Sequence, residues 1–223
     1  MSRDEHQDRT PPAAAGPPGL QPDIFYPIVP DVAWLRRLVP LGVKTIQLRM
    51  KDVGDDEISD QIRLSLEFCA AHNCQLIVND YWREAIALGA GYIHLGQEDL
   101  AGADLSAIKA AGLKLGISTH SQEELAIALD AAPDYIALGP VYETRLKAMK
   151  WPPQGLARVR SWKARIGALP LVAIAGITVE RAPGVIEAGA DSLAVITDFL
   201  NSERPELRVG EWLDWAARRR VPS

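Results

Sequence analysis

Short apolar runs rich in β-branched residues alternate with longer segments of helical period through most of the chain. The runs Phe25–Val29, Thr45–Met50, Gln75–Val78, Tyr92–Leu95, Leu113–Ile117, Tyr135–Leu138, Leu171–Ile174 and Ser192–Ile196 read as strands. Helical patterns fall between them at about 32–41, 55–72, 82–89, 104–112, 121–131, 155–166 and 179–189, and a last one lies near 211–220. In the second, Ile58, Ile62, Leu66 and Cys69 recur at helical spacing and share one face.

A weak internal echo supports the count. Four strands are preceded by small residues or proline, in LGVKTIQL, GAGYIHL, APDYIAL and GADSLAV. Their central residues Ile46, Ile93, Ile136 and Leu193 lie 47, 43 and 57 positions apart. Each interval holds two β/α units, so the echo marks every second strand. The expected fold is α/β, a single (β/α)8 TIM barrel at the compact end of its size range. A doubly wound open sheet is the rival, but neither a Gly-x-Gly-x-x-Gly nor a Walker signature is present.

Composition narrows the partners. The 24 basic and 29 acidic side chains give 24 − 29 = −5, which argues against nucleic-acid binding through overall charge. No apolar run approaches the roughly 18 residues of a membrane span. The opening MSRDEHQDRT lacks the apolar core of a secretory signal. These features point to a cytoplasmic protein. Cys69 and Cys74 flank His72, but three close ligands without a second cluster rarely make a closed zinc site, and reduced thiols are expected. Seven of the 16 prolines lie in the first 30 residues. Residues 1–22 are expected to be a disordered Pro/Ala/Gly-rich tail, and 23–223 the barrel.

In a barrel of this kind the active site sits at the C-terminal ends of the strands. Gln47, Arg49 and Lys51 alternate at the end of the second strand, so they share one face. Either face of such a strand is dry, and long polar side chains are costly there without a partner. Anion capture is the chemistry this suggests, most naturally of phosphate or diphosphate. Asn79-Asp80 ends the third strand, and Gly96-Gln97-Glu98-Asp99 follows the fourth. Two carboxylates at adjacent strand ends suit Mg²⁺ held together with phosphate oxygens. Asp80 alone could instead cap the following helix. After strand five, Ser118 or Ser121 is a candidate cap, the other a candidate phosphate ligand, and His120 is either a proton-transfer group or structural. The long loop from Gly139 to about Pro153 reads as a lid. Gly176 and the amides after strand eight suit a phosphate cradle. Two anion sites over one barrel mouth suggest group transfer with loss of diphosphate.

The segments YPIV, TIQLRMKD, LIVNDYWREAI, GYIHLGQEDL, LGISTH, YIALGPVYET, VAIAGIT and SLAVIT together resemble the thiamine phosphate synthase family from Phe25 to about Leu200. The resemblance implies a transferase that joins 4-amino-2-methyl-5-hydroxymethylpyrimidine diphosphate to 4-methyl-5-(2-phosphoethyl)thiazole. It implies that Gln47, Arg49, Lys51, Asn79, Ser118 and Lys147 hold the pyrimidine diphosphate, with Arg49, Lys51, Ser118 and Lys147 carrying the catalysis. Asp80 and Asp99 would hold one Mg²⁺. Thr144 with its neighbours Arg145 and Leu146, together with Gly176, Ile196 and Thr197, would hold the thiazole phosphate. The chain departs from the family pattern at Leu146, where a threonine is usual, and at Ala175 and Thr197. A thiazole tautomerase on the same barrel and a non-catalytic thiamine-phosphate-binding barrel are the alternatives.

Overall fold

The computed structural model describes residues 21–51, 53–144 and 151–220. Eight strands form a closed parallel barrel in sequential order: β1 (Phe25–Val29), β2 (Thr45–Leu48), β3 (Gln75–Asn79), β4 (Tyr92–Leu95), β5 (Lys114–Thr119), β6 (Tyr135–Leu138), β7 (Leu171–Ile174) and β8 (Ser192–Val195). Between them lie α1 (Val32–Leu38), α2 (Asp55–Ala71), α3 (Trp82–Ala87), α4 (Gln97–Gly102), α5 (Leu105–Ala110), α6 (Gln122–Asp130), α7 (Gly155–Ile166) and α8 (Ala182–Glu187). α9 (Thr197–Leu200) and α10 (Pro205–Arg220) follow β8.

Alternate strand residues split between two cores, as the pleat demands. Ile46, Leu48, Leu76, Val78, Ile93, Ile136 and Leu193 pack outward under the helices. Tyr26, Ile28, Ile77, Tyr92, Tyr135, Ala137, Val172 and Ala194 fill the lumen. Neither face of the strands is turned to solvent, which is why their sequences read mostly as apolar runs.

The echo has a structural cause. Its turn residues Gly42, Gly89, Ala132 and Gly189 all have positive φ, as do Asn73, Gly112 and Gly167 ahead of β3, β5 and β7, so a left-handed turn precedes every strand from β2 onward. In two copies an aspartate then ties neighbouring strands together. Asp134 accepts the Leu115 N–H and pairs with Lys114, and Asp191 accepts the Leu171 N–H and pairs with Lys163. Ala132 is the odd member, holding φ 50° with a Cβ. Ala132→Gly should stabilise the barrel by up to about 1 kcal/mol, because the left-handed region penalises Cβ. Thermal unfolding should report a midpoint rise of about 2–4 °C, and a fall would contradict this account.

Three helical features depart from expectation. α4 is an extra helix after β4, starting before the expected 104–112 segment, and α9 is a single turn after β8. Both are too short to show a period. α10 begins at Pro205, ahead of the expected 211, with proline at the start and Glu206 in the first turn. It buries Val209, Trp212 and Ala216, and Trp212 stacks on Phe25 of β1 with ring centroids 4.8 Å apart. Cys69 and Cys74 are buried free thiols, while His72 lies outward, stacked on Phe68. Among the described residues no helix is long and apolar enough to cross a membrane.

Candidate active site

Four lumen-facing polar residues lie on adjacent strands. Gln47 alternates with the outward Ile46 and Leu48, so it points into the barrel, and it is 2% exposed. Asn79 and His94 are registered partners on β3 and β4, and both are buried. Ser118 follows on β5, half-buried toward the mouth. On the opposite side the lumen is capped by apolar Ile174 and Ile196. The mouth is thus polar over β2–β5 and apolar over β7–β8.

Arg49 lies one residue beyond β2, anchored by its N–H to the Val29 carbonyl at 2.8 Å. It is half-buried, and its charge acts on both Asp80 and His94. Lys51 stands exposed further along. The expected common face of Gln47, Arg49 and Lys51 therefore becomes a ladder from lumen to solvent.

Asp80 sits in a sharp turn at φ 68°, a region that aspartate tolerates better than most residues. Its N–H donates to the His94 carbonyl at 2.9 Å. The N-cap of α3 is Tyr81, and no side chain caps that helix. The capping reading of Asp80 is thereby removed. Asp99 lies in the first turn of α4, within hydrogen-bond reach of Asp80. Burial raises the Asp80 carboxyl to a pKa of about 6, reinforced by the Asp99 charge and opposed by Arg49 and by a hydrogen bond from Asn79. An open cleft of ≈ 350 Å³, lined in part by Trp82, Arg83 and Glu98, exposes the pair to incoming ions. Two crowded carboxylates at an open cleft are a donor set that suits a small hard cation.

At β5 the choice between the two serines is resolved. Ser121 caps α6 by accepting the Glu124 N–H at 3.2 Å, which leaves Ser118 to bond His94 Nε2 at 2.8 Å. The Gln97 amide donates to the Ser118 carbonyl at 2.7 Å and ties α4 to β5. His120 is held by Glu124 at 2.8 Å and lies parallel to Trp151, where the long loop returns.

The β7 turn carries Ala175 at φ 77° and Gly176 at φ 66°. A Cβ on Gly176 would stand 2.5 Å from the Glu143 carbonyl oxygen and 2.7 Å from Tyr142 Cβ. The close approach made here is thus to the base of the long loop. Arg181 reinforces it, donating to the Gly176 carbonyl at 2.7 Å and covering the Tyr142 ring. Ile196 precedes α9, and Thr197 begins it. Thr144 is half-buried at the end of the described part of the loop. Arg145, Leu146 and Lys147 lie outside the described residues.

The structure therefore brings Arg49, Asn79, Asp80, Asp99 and Ser118 together around His94, with Gly176, Ile196 and Thr197 across the mouth. His94 is the residue that sequence reasoning missed. Its signal was present: it shares strand parity with Tyr92, as Gln47 does with Thr45. Burial, reinforced by the Arg49 charge, lowers the imidazole to a pKa of about 4.

Fold and mouth together define a (β/α)8 barrel whose rim gathers Arg49 with the Asp80 and Asp99 carboxylates. Residues 25–199 match the family described as thiamine monophosphate synthase. A thiamine-phosphate synthase of Rhizobium etli is 59% identical over 191 residues, covering 86% of this chain and 94% of that protein. One from Salmonella paratyphi B is 49% identical over 173 residues, covering 78% and 82%. The solved thiamine phosphate pyrophosphorylase of Pyrococcus furiosus superposes with a TM-score of 0.77 at 24% identity, covering 90% of this chain and 98% of that one, a likeness of fold. The chain belongs to the thiamine monophosphate synthase family, whose members are transferases.

Proposed function

We propose that this chain joins 4-amino-2-methyl-5-hydroxymethylpyrimidine diphosphate to 4-methyl-5-(2-phosphoethyl)thiazole, yielding thiamine phosphate and diphosphate. The observation that carries this reading is the split mouth. Crowded Asp80 and Asp99 beside the Arg49 charge occupy one half, and apolar Ile174 and Ile196 with the Gly176 turn occupy the other. A diphosphate with its cation suits the first half, and a flat apolar ring bearing a phosphate suits the second.

Gln47, Asn79 and Ser118 would hold the pyrimidine diphosphate from the lumen, with Arg49, Lys51 and Lys147 supplying positive charge. Asp80 and Asp99 would hold one Mg²⁺, which when bound neutralises charge on the diphosphate as it leaves. The methylene C–O bond breaks first, and its electron pair departs with the diphosphate. Arg49, Lys51, Ser118 and Lys147 stabilise that charge where it develops, which is electrostatic catalysis. The apolar half excludes water from the pyrimidine-methyl cation until the thiazole nitrogen lone pair closes the new C–N bond. No proton is transferred and no side chain acts as nucleophile. Gly176, Ile196 and Thr197 would seat the thiazole phosphate, and Thr144, Arg145 and Leu146 would share in holding it.

A tautomerase acting on the thiazole phosphate alone would have no use for the Asp80–Asp99 pair and the Arg49 charge. Two buried free thiols fit a reducing, cytoplasmic setting. The purified chain given both substrates and Mg²⁺ should form thiamine phosphate and diphosphate in equal amounts. No product, with binding of each substrate shown by calorimetry, would overturn the reading.

A further inference from the structure

A hydrogen-bonded chain runs up the barrel axis to the mouth. Tyr26 on β1 bonds Tyr135 on β6. The Tyr135 hydroxyl lies 2.8 Å from His94 Nδ1, and His94 Nε2 lies 2.8 Å from Ser118 Oγ. Tyr26, Tyr135 and His94 are all buried, and the tyrosine and histidine rings lie 25° from parallel. Tyr135 reaches across because Gly116, its registered neighbour on β5, has no side chain. A Cβ there would stand 1.9 Å from Tyr135 Cζ.

We infer that His94 and Tyr135 are positioning residues that present the Ser118 hydroxyl to the diphosphate as a hydrogen-bond donor. The inference rests on the synthase reading for the identity of the anion, and on the geometry of the chain for the rest. Both ring nitrogens of His94 face hydroxyls, and a neutral imidazole carries one proton and so can donate at only one end. Each hydroxyl likewise has one proton. Three arrangements satisfy all three bonds: one with every proton pointing outward, and two with Nδ1–H donating to Tyr135, which differ in whether Tyr135 or Tyr26 donates to the other.

If the protons point inward, Ser118 donates to Nε2, Nδ1–H donates to Tyr135, and Tyr135 donates to Tyr26. The Tyr26 O–H, or the Tyr135 O–H where Tyr26 donates instead, is then left over among Ile28, Ile77, Tyr92, Val172 and Ala194, and a buried donor that finds no acceptor is costly. If they point outward, Tyr26 donates to Tyr135, Tyr135 to Nδ1, and Nε2–H to Ser118 Oγ. Every buried proton is then used, and the Ser118 O–H faces the mouth. An anion accepts hydrogen bonds and donates none, so diphosphate favours the same direction. The barrel interior thereby fixes the polarity of a hydroxyl at its rim before substrate arrives.

The full chain with ¹⁵N-labelled histidine tests this by NMR, free and with inorganic diphosphate plus Mg²⁺. The His94 signals are identified by their loss in His94→Gln. Should that variant not fold, they are identified by their retention when His6, His72 and His120 are replaced. We expect Nε2 to carry the proton in both states and Nδ1 to be bare. A proton on Nδ1 with diphosphate bound would overturn the inference. A second readout is the affinity for inorganic diphosphate with Mg²⁺. Tyr135→Phe should weaken it about tenfold in the native background and under twofold in Ser118→Ala, since the effect passes through that hydroxyl. An equal loss in both backgrounds would make Tyr135 mere packing and sink the proposal. These measurements need no turnover. A chain showing both signatures but no coupling would lose the synthase reading while keeping the proton arrangement.

Discussion

Asp80→Asn should lower the coupling rate by about 10³-fold or more with Mg²⁺ present, while leaving the metal-free barrel more heat-stable than the native one. The two effects share one cause. Asparagine tolerates the φ of 68° that Asp80 adopts, and it keeps an oxygen for the Asn79 contact. What it removes is a charge held against burial and against Asp99. The sign follows from linkage. Burial lifts the folded Asp80 carboxyl from 3.8 to about 6, so between those values the folded state binds more protons than the unfolded one. Stability therefore falls as pH rises through that window and stays lower above it. Metal-free native protein should gain thermal stability as pH drops from 7 to 5, and Asp80→Asn should flatten that gain. Differential scanning with a chelator reads the stability, and product formation with Mg²⁺ reads the rate. A variant that unfolds earlier at pH 7, or that keeps a tenth of the rate, would show that Asp80 serves the fold instead of the metal.

The same residue shows where reading the chain stopped. Asp80 before a helical pattern looks like a cap, and only the backbone turn that makes Tyr81 the cap frees it. Ser118 and Ser121 posed the same ambiguity, and it too is settled by which hydroxyl meets the first turn of α6. Such choices turn on one or two dihedral angles, which residue spacing does not encode. The barrel was legible for the opposite reason. Ile46, Ile93, Ile136 and Leu193 sit on strands that begin after a left-handed turn, as β3, β5 and β7 also do, and they pack outward under the helices. A repeated physical requirement leaves a repeated pattern, while α4 and α9 are too short to repeat anything. His94 escaped notice because a lone histidine in an apolar strand reads as core. Its meaning lies in Tyr26, Tyr135 and Ser118, which are far away in sequence and meet only across the closed lumen.

Gly176→Ala should reduce coupling by about 10²-fold through misplacement of the loop base, with most of the loss appearing against the thiazole phosphate. Alanine meets two obstacles at this site. Its φ of 66° is one that side chains rarely adopt, and its Cβ would stand 2.5 Å from the Glu143 carbonyl oxygen and 2.9 Å from the Tyr142 carbonyl carbon. Both are backbone atoms and cannot swing aside as a flexible side chain would. They begin the long loop after β6, and Arg181 clamps the same place from the β7 turn by bonding the Gly176 carbonyl and covering Tyr142. Tyr142 and Glu143 therefore have to move outward, carrying Thr144 with them. The β2–β5 half is built on other strands and keeps its geometry, so binding of inorganic diphosphate with Mg²⁺ should change less than twofold. Comparing KM for the two substrates gives the decisive measurement. Equal losses at both would mean that the turn supports the barrel as a whole. A loss confined to the thiazole phosphate would assign the turn to the second half of the mouth, where the chain carries Ala175 beside Gly176 at φ 77°. That left-handed alanine is itself held in place by the contacts that exclude a Cβ at the next residue, so the loop base and the β7 turn constrain each other.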